Sequence, residues 1–203
     1  MTMFEKPFSQ ACENNKQPIL DVIRPLFQGS KSILEIGSGT GQHAVFFAEA
    51  MPHLQWQCAD QAEYLAGIQQ WLDDASLANI SAPQTFEVNS SAWPSGNFDG
   101  VFSANTLHIM SWASVQVLFQ RLGENMPEDS LLAIYGPFNY QGKFTSDSNA
   151  QFDQWLKSRD PQSGIRDFEA VCEQAETAGY SLLNDHAMPA NNRLLCWHKK
   201  TRR

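Results

Sequence analysis

The sequence predicts an α/β domain: a mainly parallel sheet of seven strands, closed by an antiparallel pair and covered by helices on both faces. Three observations lead there. From Lys31 onward, short apolar runs rich in β-branched residues alternate with stretches whose apolar positions repeat at helical spacing. The first run, KSILEIG, opens into a turn crowded by Gly37, Gly39 and Gly41 and then into a helical repeat. The last two runs, YSLLNDHAM and RLLCWHK, are separated only by Pro189, Ala190, Asn191 and Asn192, a hairpin spacing.

The elements follow in order. Residues 9–27 read as helical, with Pro18 and Pro25 expected to break the helix or begin new turns. After the glycine turn, Ala44, Phe47, Ala48 and Met51 mark one helix face. LQWQCAD is a second strand, followed by a helix with Tyr64, Leu65, Ile68, Trp71 and Leu72 on one stripe. QTFEVN, FDGVFSAN and LLAIYGPF are three further strands, and a helix with Trp112, Val115, Phe119 and Leu122 joins the last two. Ser148 with Gln151 reads as a capping box opening a helix that carries Phe152, Trp155 and Leu156. A final helix carries Phe168, Val171, Cys172, Ala175 and Ala178, with Gly179 suited to its left-handed end.

At 203 residues the chain suits one domain, read as 1–203 with an N-terminal helical cap at 1–28 and a lid-like insertion at 137–167. With 42% hydrophobic and 18% charged residues, disorder and coiled coil both fit badly. No apolar run approaches the roughly 20 residues that span a bilayer, and MTMFEKPFSQ lacks the order of a signal peptide, so the expectation is a soluble, cytoplasmic protein without a membrane partner. The net charge of -8 repels phosphate backbones and argues against a nucleic-acid partner. Lys199, Lys200, Arg202 and Arg203 form the one basic cluster, read as a solvated tail. Cys12, Cys58, Cys172 and Cys196 show no metal or redox spacing, and no trio of acids at strand ends offers a metal site.

The glycine turn narrows the ligand. In EIGSGTG a dinucleotide fingerprint would need a third glycine where Gln42 stands, and Glu35 at the strand end would repel a pyrophosphate. No Lys follows for a P-loop. A cationic ligand free of phosphate suits the same turn, and S-adenosylmethionine (SAM), with a sulfonium and an ammonium, is one. Asp60, ending the second strand 19 residues after Gly41, is placed to accept from ribose hydroxyls, or else to cap the next helix together with Glu63.

Glu35 through Gly41, Asp60 and the closing strand pair resemble a class I SAM-dependent methyltransferase. More closely, ENNKQPIL, EIGSGTGQHA, NTLH, YGPFNYQGKFTSDSN, GIRD and MPANN resemble, in order, the methyltransferase-like family filed as domain of unknown function 938. Asn14 departs from that likeness, standing where Arg is expected. The resemblance implies a Rossmann-like seven-stranded sheet and SAM as cofactor, with S-adenosylhomocysteine as product. It places Glu35, Gly37, Ser38, Gly39, Gly41, Asp60 and Gln61 against the cofactor.

In such a fold the cofactor lies across the carboxyl ends of the strands. Asn89 and Ser90, closing the third strand, either meet adenine or simply begin a turn. Asn105, closing the fourth, faces the methionine part or the transferring methyl group. His108 and Tyr135 are the candidates for catalysis: His108 is a general base or a packing residue, and Tyr135 walls the acceptor pocket with Phe138, Tyr140 and Phe144. Asn149, Arg159 and Arg166 orient the acceptor's polar end, or the arginines tie the insertion to the body through Asp160 or Asp167. Asn15 and Lys16 resemble family positions that close over the same pocket, although an exposed helix face explains them equally.

No Pro-Pro-aromatic run follows Asn105 and no Pro-Cys nucleophile is present, so chemistry on nucleic-acid bases is set aside. The expected function is methyl transfer to a small apolar or aromatic acceptor at O, N or S. A non-catalytic SAM-binding module and a nicotinamide-dependent reductase are the rivals. The oligomeric state is left open.

Overall fold

In a computed structural model, residues 6–201 are described, and everything below concerns these residues. Helix α1 (Gln10–Leu26) comes first, with Ser9 accepting at its N-terminus from the Cys12 amide. It runs unbroken through Pro18 and Pro25, against the expectation of a break. At Pro18 the helix forgoes one backbone hydrogen bond. Burial of Ile19, Leu20 and Ile23 against the sheet and its neighbouring helix outweighs that loss.

Strand β1 (Ser32–Ile36), helix α2 (Gln42–Ala50), strand β2 (Gln55–Asp60), helix α3 (Leu65–Ala75) and strand β3 (Ile80–Thr85) follow in alternation. Next come strand β4 (Gly100–Ala104), helix α4 (Trp112–Asn125) and strand β5 (Leu131–Gly136). Short strands β6 (Phe138–Asn139) and β7 (Arg166–Asp167) pair in parallel and bracket helix α5 (Asp147–Arg159). Helix α6 (Phe168–Thr177) and strands β8 (Tyr180–Met188) and β9 (Asn192–Lys199) complete the chain.

The seven-stranded sheet has the order β3-β2-β1-β4-β5-β9-β8. Its first five strands are parallel, and β9 is antiparallel to both β5 and β8. Adjacent residues of a strand serve opposite faces, as the pleat requires. Ile33 joins a core with α1, α2 and α3, while its neighbour Leu34 joins a second core with α4 and α6. The strand order reverses between β1 and β4, so a crevice opens there at the carboxyl ends.

Three local expectations need correction. The third strand lies at Ile80–Thr85, ahead of QTFEVN, so Asn89 and Ser90 sit in a turn beyond it, where the Ser90 amide donates to the Glu87 carbonyl. The cap of α5 is Ser146, whose hydroxyl accepts from the Asn149 amide at 3.1 Å, two residues before Ser148. Asp60 caps no helix, because α3 begins five residues later without a side-chain cap. Gly179 does take a positive φ, of 91°, after α6. No helix among the described residues is long and apolar enough to cross a membrane.

The insertion carries its own packing. Phe138 is buried in the α4–α6 core, Tyr140 stacks on Phe168 at 5.0 Å, and its hydroxyl donates to Asp185 at 2.8 Å. Buried Asp153 accepts from Lys157 and from the Ile165 amide, fixing the return of the chain after α5.

The unbroken α1 makes a testable case. Pro18→Ala restores a helix donor worth about 3 kcal/mol and frees the unfolded chain by about 1 kcal/mol. Denaturant titration should show a net gain of about 2 kcal/mol. A loss would mean that the ring itself packs.

Candidate active site

The crevice is built on the glycine turn between β1 and α2. Gly37, Gly39 and Gly41 all adopt positive φ. At Gly37 a side chain has no room, since an added Cβ would stand 2.4 Å from the Thr106 hydroxyl. At Gly39 nothing lies within 4 Å of that position, so the backbone there faces open space. Asp60 fixes the turn: one carboxylate oxygen accepts from the Gly39 amide at 2.7 Å and the other from the Gln61 amide at 2.7 Å. Burial raises the Asp60 pKa, and these two amides oppose the rise. The Gln61 side chain is exposed beside it.

Glu35 does not open onto the crevice. Only 1% exposed, its carboxylate accepts from the Trp56 indole at 3.0 Å and lies against the Cys58 thiol, on the face of the sheet covered by α1 to α3. Burial pushes its pKa up to about 7. The residue supports the turn from beneath; a direct contact with a bound cation does not follow from this placement. Ser38, also buried, donates from its hydroxyl to the Glu35 carbonyl at 3.3 Å.

Gln42, His43 and Asn15 form a junction between the turn and α1, and the roles of Gln42 and His43 there were not anticipated. The Gln42 carboxamide accepts from the Ser9 amide at 2.6 Å and donates to Glu13 at 2.9 Å. His43 meets the Asn15 carboxamide oxygen at 2.6 Å, and its ring stacks on Phe47 at 5.2 Å. Burial lowers the His43 pKa to about 4, so the ring is neutral at pH 7. The carboxamides of Asn15 and Asn192 also lie against the Tyr135 hydroxyl, whose pKa burial raises. The signal for His43 was its position in the first turn after the glycines, joined to an asparagine already singled out.

On the other side of the crevice, Asn105 follows β4 with a left-handed φ of 56°, its amide donating to the Tyr135 carbonyl at 2.8 Å. His108 is 6% exposed, with its ring edge-on to Phe152 at 5.3 Å. Burial first, and the Arg166 charge second, lower its pKa to about 4. A base this weak is neutral across the physiological range. The two side chains converge on Gly136, where an added Cβ would lie 3.7 Å from His108 Nδ1 and 3.9 Å from Asn105 Oδ1.

Several residues expected at an acceptor pocket are engaged elsewhere. Arg166 donates to the carbonyls of Leu107, Met110 and Gln162, so it clamps the loop around His108 rather than pairing with an acid. Arg159 is exposed and lies over the Trp155 ring at 4.9 Å. Asn149 donates to Thr145 and to the Asn191 carbonyl, tying α5 to the β8–β9 connection. Phe138 and Tyr140 are taken up by core packing, and Phe144 is exposed. Asn89 donates to Ser114 on α4 at 2.9 Å, and Glu87 stands exposed just past the end of β3.

The buried Glu35 carboxyl predicts a pH signature. Its folded pKa lies above the unfolded value, so its contribution is complete below about pH 4.5 and is lost as the pH rises through about 7. Glu35→Gln keeps an acceptor for Trp56 and removes the titration. The variant should therefore gain on the parent protein from pH 4.5 to pH 8, by up to about 3 kcal/mol. Thermal melts across that range check it, and a constant difference would show that Glu35 does not titrate there.

The architecture has solved counterparts. The apo form of the S-adenosylmethionine-dependent methyltransferase SibL is 18% identical with a TM-score of 0.79, over 94% of this chain and 56% of that one. An O-methyltransferase family 2 protein from Planctomyces limnophilus, in complex with apigenin, is 15% identical with a TM-score of 0.81, over 93% and 57%. Human N-acetylserotonin methyltransferase in complex with SAM is 14% identical with a TM-score of 0.78, over 95% and 53%. The chain thus has the class I methyltransferase fold and spans about half the length of these structures. Residues 6–199 match the family described as "Protein of unknown function (DUF938)", and the chain belongs to that family.

Proposed function

We propose that the protein is a SAM-dependent methyltransferase acting on a small molecule. The observation that carries this reading is the pairing of Asp60 with the Gly39 amide at the carboxyl ends of adjacent parallel strands, beside backbone that faces open space. The acid lies where a ribose would be met, and the turn itself, residues 37–41, contains no Lys or Arg to receive phosphate. Gly37, Ser38, Gly39 and Gly41 form the cradle for the methionine part, with Asp60 and Gln61 toward the ribose hydroxyls. Glu87, at the third strand's carboxyl end, offers a carboxylate to an exocyclic amine more directly than Asn89 or Ser90. SAM supplies a methyl carbon made electrophilic by its sulfonium.

The chain's own residues hold the acceptor and exclude water from the reaction path. Asn105 and His108 face the acceptor side, and Tyr135, held by Asn15 and Asn192, backs that wall from β5. His108, neutral at pH 7, can accept a hydrogen bond or a proton, and Arg166 fixes the loop that carries it. The solved counterpart in complex with apigenin supports a small flat acceptor.

Titration calorimetry tests the cofactor. SAM and S-adenosylhomocysteine should bind, and NADH should not; binding of NADH alone would replace this reading with a reductase. Asp60→Asn keeps an oxygen for the Gly39 amide while removing the charged acceptor for ribose. It should weaken S-adenosylhomocysteine by about 1.5–3 kcal/mol, roughly 10- to 150-fold, with a smaller loss of stability. Unchanged affinity with a lowered melting point would reduce Asp60 to a structural tie.

A further inference from the structure

We propose that the bare backbone of Gly136, between His108 and Asn105, is the floor of a subsite that takes the uncharged hydroxyl of the acceptor, of the phenol type. The proposal rests on the methyltransferase reading and names the substrate class of that same crevice.

Gly136 needs no glycine for its backbone, because its φ is not in the left-handed region. Packing does not demand one either: an added Cβ would make ordinary contacts with two atoms, His108 Nδ1 at 3.7 Å and Asn105 Oδ1 at 3.9 Å. What the missing side chain leaves is room, and the two groups that face this room have no other use for their polar atoms. The ring nitrogens of His108 make no hydrogen bond to any described residue, although the side chain is nine-tenths buried. The Asn105 carboxamide makes none either, and its residue holds a left-handed φ of 56°. Neither the imidazole nitrogens nor the carboxamide is sealed into the core, so both open onto the crevice unpaired, and one ligand placed over Gly136 can complete both.

The chemistry of that ligand follows from the lining. Neutral His108 presents an acceptor nitrogen, and a carboxamide presents both a donor and an acceptor. A hydroxyl, which donates once and accepts as well, satisfies both. Charge then separates it from an alkylamine, which is protonated at neutral pH, and acceptor strength separates it from an arylamine, whose nitrogen lone pair is delocalised into the ring. The nearby Arg166 guanidinium is held in place by three backbone carbonyls and disfavours a further cation beside His108. A phenol enters uncharged: its oxygen takes the methyl as the sulfonium becomes a neutral thioether, its proton passes by way of the imidazole to solvent, and the product is a neutral ether. The Phe152 ring at 5.3 Å from His108 supplies an apolar wall for the group that carries the hydroxyl.

The test reads binding directly. Protein labelled with nitrogen-15 is titrated with phenol, aniline and benzylammonium, with and without S-adenosylhomocysteine, following the His108 ring nitrogens by NMR. Phenol should shift the Nδ1 resonance saturably, aniline should bind at least tenfold more weakly, and benzylammonium should give no response. Gly136→Val, which fills the space, should weaken phenol at least tenfold while S-adenosylhomocysteine affinity stays within twofold. Gly136→Ala, whose Cβ meets only ordinary contacts, gives the same direction if the larger variant does not fold. Equal binding of aniline, or phenol binding indifferent to both substitutions, would overturn the proposal. If S-adenosylhomocysteine fails to bind, the methyltransferase reading falls separately, and the phenol response of the ligand-free protein still decides the subsite.

Discussion

The site depends on one carboxylate. Asp60 reaches from the end of β2 across to the glycine turn after β1 and receives the Gly39 amide on one oxygen. Parallel pairing brings those strand ends together, with Ile36 opposite Ala59, and the Gly37 amide carries the ladder one step further onto the Ala59 carbonyl. From there the chain must turn at once into α2, which it does through three positive φ angles and with Thr106 filling the space over Gly37. The turn therefore has little freedom. Its three glycine amides are already paired, with the Ala59 carbonyl, the Asp60 carboxylate and the Ser38 carbonyl, so the turn meets the crevice as fixed, bare backbone.

A second constraint is electrical. Glu35 beneath the turn, His43 just after it and His108 across the crevice are buried, and each is driven toward its neutral form by loss of water. Glu35 is raised to about 7, while His43 and His108 are lowered to about 4. Near neutral pH the two histidines thus add no positive charge, and the charged groups around the crevice are Asp60, the exposed Glu87 and the clamped Arg166. Of the two carboxylates beside the turn, Asp60 is the one set at its edge, since Glu35 is occupied with Trp56.

The insertion after β5 shapes this crevice without lending it most of its side chains. Tyr140, Asp185 and Arg193 join the insertion to the β8–β9 pair, and Arg166 joins it to the loop after β4. The Gly164 amide adds a 2.8 Å bond to the His108 carbonyl. His108 is consequently held from both sides by backbone contacts while its ring nitrogens stay unpaired. Rigidity of the surrounding segment and an available imidazole are the same fact seen from two directions.

Periodicity in the sequence was enough for the sheet, its helices and the closing hairpin, because a strand or helix face must bury its apolar residues wherever it packs. The turn before α2 and the acid that ends β2 were equally legible, being set by spacing along one short unit. Local signals failed where tertiary burial competed with them: α1 passes through two prolines because its apolar face is covered, and β3 begins early because it follows the register of β2. Side-chain roles were the least legible. Arg166 and Tyr140 look like pocket residues in a linear reading, and Glu35 looks like a ligand contact. Which way each of them turns is decided by partners 21 to 59 residues away, a Trp56 indole, an Asp185 carboxylate, the carbonyls of Leu107 and Met110. The sequence by itself determined the architecture and the place of the crevice, since these rest on hydrophobic period and turn chemistry. Only the tertiary structure decided which polar groups remain free to meet a ligand, because that depends on what folding has already paired.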